Sequence, residues 1–149
     1  MSRRLLTLLL FLFFVNPVWG EEQSFNATLK LFKPITITKN KDLIFPAKVL
    51  TGTDETVVVS ADDTGAADFT AFGGKNRSVI RTVLESSLTL TAPGATGTLV
   101  VDNFIVTGPA LFNDYGKAEG LRVGATARIF SDSEDGDYAG VATFRVVYQ

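Results

Sequence analysis

The chain has 149 residues, with 14 Lys and Arg against 16 Asp and Glu for a formal net charge of −2, and a pI near 5.1. It contains neither cysteine nor histidine. These values argue against nucleic-acid binding by charge, and they exclude disulfides, thiol chemistry, imidazole catalysis and zinc sites built on Cys or His. A hydrophobic content of 46% with 20% charged residues supplies a core that must be held by burial and strand pairing alone.

Residues 1–20 read as a signal peptide. Arg3 and Arg4 form the positive segment, Leu5–Val15 the apolar run, and Val18 and Gly20 suit a peptidase cleaving after Gly20. The apolar run would span roughly 16 Å as a helix, short of a hydrocarbon core of about 30 Å. An uncleaved anchor is the alternative. The exported chain then begins at Glu21 and is more acidic for having lost two arginines.

From Glu21 onward the pattern is that of strands. Phe25, Ala27, Leu29 and Leu31 alternate on one face, and Ile35 and Ile37 continue that face beyond Pro34. Short apolar runs follow at Val57–Ala61, Asp68–Phe72 and Ser78–Leu84, the last two separated by Gly73-Gly74-Lys75-Asn76. Leu88, Leu90 and Ala92 alternate up to Pro93-Gly94. Thr98–Val106 is apolar apart from Asp102-Asn103, the mark of a bulge or a break. Leu121–Ile129 alternates cleanly, and a final strand over Tyr138–Tyr148 places Ala142, Phe144, Val146 and Tyr148 on one face. Seven to nine short strands with Gly, Pro and Asp between them predict an all-β fold, an immunoglobulin-like β-sandwich over 34–149, preceded by an N-terminal extension over 21–33.

The polar residues give little support to catalysis, and we expect neither an enzyme nor a cofactor. The acidic stretch Asp132–Asp137 could be a calcium loop, but it lacks the EF-hand spacing and reads better as a solvated turn. Asp62-Asp63 could be a glycosidase pair, although neighbours on a strand or turn point apart. Lys75, Arg77 and Arg81 form a small basic patch. Phe112-Asn113-Asp114-Tyr115-Gly116 is the best candidate for an exposed adhesive loop, with core packing as the alternative.

The two ends carry the most information. The segment Gly136–Gln149, with Gly136 fourteenth from the end and Tyr148 second, resembles the C-terminal pattern of chaperone–usher pilins. The stretch from Ile35 onward is also similar to a family of exported bacterial domains of unknown function. That likeness rests on Asp42-Leu43-Ile44-Phe45, Ala67-Asp68-Phe69-Thr70, Leu121-Arg122-Val123-Gly124-Ala125 and Gly136-x-Tyr138-x-Gly140. The absence of cysteine places the resemblance with the cysteine-free pilins.

The pilin resemblance implies a sandwich lacking its last strand. A periplasmic chaperone would grip the strand carrying Gly136, Ala142, Phe144, Val146 and Tyr148, and an outer-membrane usher would direct assembly. The donor strand passed to a neighbouring pilin subunit would carry Phe25, Ala27, Leu29 and Leu31. The expected location is the periplasm and then a surface fimbria, with no nucleic-acid partner. Two other readings stand beside this one. Phe25–Leu31 could be the first strand of a complete sandwich, or the chain could be a monomeric periplasmic or surface module that binds a glycan or a protein.

Overall fold

The computed structural model describes residues 20–149; the expected signal peptide, apart from Gly20, lies outside the described residues. The chain divides into a unit ending at Lys30 and a second unit over Leu31–Gln149. Residues 20–35 carry no strand. Phe25, Leu29 and Leu31 are open to solvent, 89%, 82% and 79% exposed, while Ile35 packs on the domain.

Leu31–Gln149 is all-β, as expected, with eight strands in two antiparallel sheets and no helix among the described residues. The strands are β1 (Thr36–Lys41), β2 (Glu55–Val59), β3 (Ala67–Phe72), β4 (Val79–Val83), β5 (Ser87–Leu90), β6 (Leu99–Thr107), β7 (Lys117–Ile129) and β8 (Phe144–Tyr148). The larger sheet runs β1-β3-β7-β6-β5, with β2 also paired to β7. The smaller sheet is β4-β8. The arrangement is that of a β-sandwich.

β7 organises the larger sheet. It pairs with β6 along one edge, while β3 and β2 share the other edge end to end, at Lys117–Val123 and Ala125–Ile129 respectively. Gly124 sits at the junction. A Cβ there would stand 2.4 Å from the Val59 carbonyl oxygen and 2.5 Å from the Ala61 nitrogen, so only glycine lets the chain leaving β2 pass so close. The Asp63 carboxylate closes the turn that follows by accepting the Ser60 N–H at 2.7 Å. Arg122 binds the Asp62 and Asp63 carbonyls from outside. The two aspartates are therefore turn residues. On β6, Asp102-Asn103 is a bulge: Asn103 has φ 53° and the register shifts between Asp102 and Ile105.

The core falls into two clusters. Ala71, Val79, Phe112, Ala118, Leu121 and Val146 form one, beneath the β4-β8 sheet. Val57, Val101, Ala125 and Ala127 form the other, with Leu43, Phe45, Leu88, Leu90, Phe104 and Ile129 packed around it.

The final strand is shorter than its alternation predicts. β8 begins at Phe144, so Gly136 and Ala142 lie before it and Ala142 is exposed. Pairing explains the difference. The β4-β8 ladder ends at the Leu84 N–H to Thr143 carbonyl bond, because Ser87–Leu90 swings away to pair with β6. Residues 138–143 then keep one bridge, Thr91 with Ala139, through bonds of 3.0 and 2.9 Å.

Candidate functional site: an open apolar groove

The second core cluster has no sheet opposite it, since β8 starts too late to cover it. A cavity of about 840 Å³ opens there, with Val57, Val101 and Ala127 on its floor. One wall is the chain after β1, where the Ile44 N–H bonds the Gly65 carbonyl at 2.8 Å and turns Leu43 and Phe45 inward. The other wall is the run Ala139–Phe144. Gly140 lets this wall lie flat on β5, because a Cβ would stand 2.8 Å from a Leu90 methyl and 2.9 Å from the Thr89 carbonyl. The outward backbone edge of β8 pairs with no strand among the described residues. An apolar floor beside an unpaired edge is the arrangement that accepts an added strand.

The groove's rims carry opposite charge. Lys39, Lys41 and Lys48 lie along one side, where Lys39 is paired with Asp42 and Lys48 with Glu55. Glu134, Asp135 and Asp137 lie along the other. Glu134 is held by Thr96, whose backbone N–H and hydroxyl donate at 2.7 and 2.8 Å. The hydroxyl first, and then the backbone N–H, draws the Glu134 pKa below the usual carboxylate value. The acidic stretch thus uses its glutamate as a strut to the neighbouring loop. No group of three or more metal-ligating side chains gathers among the described residues.

The residues expected of the C-terminal strand divide by role. Phe144 stacks on Phe69 at 4.4 Å between ring centres and joins the two sheets at the groove's end. Val146 is buried in the first cluster. Tyr148 meets the Phe112 ring edge-on at 6.0 Å, and its hydroxyl accepts the Gly74 N–H at 2.7 Å. Ala142 lines the groove, and Gly136 sits against Ala92. Phe25, Ala27, Leu29 and Leu31 are exposed and form no strand.

In the proposed adhesive loop Phe112 is fully buried while Tyr115 is 86% exposed, so the loop is half core. Sequence reasoning missed Leu43 and Phe45 as groove residues. Their i, i+2 spacing was the available signal, weakened by Asp42 before them and Pro46 after them.

Comparison with known proteins gives one positive finding: the model of DUF4402, a domain of unknown function, matches residues 35–148. No curated protein and no solved structure matches.

Proposed function

We infer that this chain, which belongs to the DUF4402 family of domains of unknown function, serves as a structural subunit of a bacterial surface fimbria assembled by donor-strand complementation. The observation that carries the reading is the open groove beside the unpaired β8 edge, on a chain whose own extension is apolar, alternating and exposed. The occupant is the segment Gln23–Lys33 of a second copy. Fully extended, eleven residues span about 36 Å, enough to run past the groove and the length of β8. Phe25, Leu29 and Leu31 would seat on the floor with Ala27 at a shallow place between them. The contact is head-to-tail and leaves each copy with one free groove and one free strand, so it propagates.

Before assembly the groove is an aggregation hazard, which is the physical reason for a periplasmic chaperone. Its strand would lie against Ala142–Phe144, with Val146 and Tyr148 holding the neighbouring edge in shape. An outer-membrane usher would then pass the subunit on.

The test uses a domain lacking Glu21–Lys33 and a synthetic Gln23–Lys33 peptide. At a thousandfold excess over its Kd the peptide should raise the midpoint of melting by about 15 °C and co-elute with the domain. A truncated domain that is already stable and ignores the peptide overturns the reading, and makes a monomeric binding module the leading account.

A further inference from the structure

The base of the extension is fastened. The Tyr148 hydroxyl, already accepting from Gly74, donates its own proton to the Lys33 carbonyl. Phe32 lies on the Tyr148 ring at 4.9 Å between ring centres, tilted by 32°. Arg77 caps Phe32 with its guanidinium 5.3 Å from the ring centre. Gly73 makes the fit possible, since a Cβ there would stand 2.8 Å from the Tyr148 oxygen and 2.5 Å from Phe112. One hydroxyl on β8 therefore joins the 73–74 turn to the residue before Pro34.

This joint bears on which groove the extension can enter. To fill its own groove the chain must reverse at Lys33–Thr36, with Pro34 at the second position of the turn, where proline is favoured. Such a turn is closed by the carbonyl of its first residue, Lys33, which is the carbonyl that Tyr148 holds. Register adds a second obstacle. A reversal there sets Leu31 opposite Thr38, Leu29 opposite Asn40 and Phe25 opposite Ile44. Opposed residues share a face, so the apolar side chains would lie with exposed Ile44 and away from Leu43 and Phe45, which face the groove. A strand arriving from another copy is anchored at the end of that copy's own sandwich, needs no reversal over β1, and can seat Phe25, Leu29 and Leu31.

We propose that Tyr148 is a latch that holds Phe32 and Lys33 at the end of the sandwich and so commits the extension to the groove of a second copy of this chain. The proposal rests on strand complementation as the use of the groove. Its partner is the same protein, selected by closing off the intrachain route.

The experiment uses the chain from Glu21 onward, a labelled Gln23–Lys33 peptide, and sizing with light scattering after refolding. A Leu29→Asp chain has its own donor disabled and should take up the peptide; failure of that uptake overturns strand complementation, and the latch with it. Tyr148→Phe keeps the ring and loses the hydroxyl. Of the two hydrogen bonds lost, the one to Lys33 holds the extension, and its loss should raise the ratio of closed monomer to assembled protein about fivefold. The closed monomer should refuse the peptide. Phe32→Ala alters no strand and should shift the ratio in the same direction. If Leu29→Asp takes up the peptide while Tyr148→Phe and Phe32→Ala keep the wild-type ratio or shift toward assembly, the groove is a strand acceptor and Tyr148 is no latch.

Discussion

Ala127→Leu should push stability and strand uptake in opposite directions. Ala127 sits on β7 between Val57 of β2 and Val101 of β6, buried in the floor of the groove. Leucine adds three carbons to a floor that faces about 840 Å³ of open space. At about 0.8 kcal/mol per buried carbon the gain is about 2.4 kcal/mol. Fixing the new side chain takes back about 0.5–1 kcal/mol. In a Leu29→Asp background, where the groove has no donor of its own, the substitution should raise the midpoint of melting by about 6–8 °C. The same carbons occupy the place a donor side chain would take, and overpacking of about 1–3 kcal/mol should weaken Gln23–Lys33 binding about 5- to 150-fold. Thermal melts and a fluorescence titration of the labelled peptide read the two effects separately. A midpoint lowered by several degrees would mean that the floor is already close-packed. A raised midpoint with unchanged peptide affinity would mean that the peptide binds somewhere other than over Ala127.

Two further expectations concern the scaffold around the groove. Phe112→Ala should cost about 3–5 kcal/mol in urea unfolding because the ring is fully buried, while Tyr115→Ala, three residues on, should stay within about 0.5 kcal/mol. Glu134 has a depressed pKa in the folded chain, so its stabilising contribution is present above the ordinary value of 4.5 and fades as pH falls through the lower folded value. The gap in urea midpoint between wild type and Glu134→Gln should therefore be open at pH 7 and closed in strong acid.

Most strands were legible in the sequence because their signal is local. Leu121 to Ile129 alternates and forms a strand, although Val123–Ala127 is buried on both faces. Asp102-Asn103 marked its bulge by interrupting an apolar run, where Asn103 takes the left-handed conformation that asparagine tolerates. What escaped depends on neighbours. Lys117–Gly120, which begins β7, carries no apolar alternation and becomes strand because β3 pairs with it. Tyr138–Thr143 has a strand-like pattern and yet stays irregular, because β5 is drawn to β6 and the outward side is unpaired. Alternation reports which face would be buried; it does not report whether a partner is there. The groove itself is visible only in three dimensions, as the place where one core cluster lies under a second sheet and the other does not. Tyr148 stood out in sequence through its position, whereas its bond to Lys33 could be found only in the structure.

The divided core also governs how the chain breathes. Phe112, Leu121 and Val146 lie in a cluster roofed by the second sheet. Val57, Val101 and Ala127 lie in one roofed mainly by loops. Local opening is easiest where few apolar contacts resist it. Amides of Lys117–Val123 should then exchange with solvent only when the whole domain unfolds, while those of Ala125–Ile129 on the same strand exchange through smaller, more frequent openings. One continuous strand would thus carry two protection classes, with Gly124 at their boundary, and filling the groove would merge them into one.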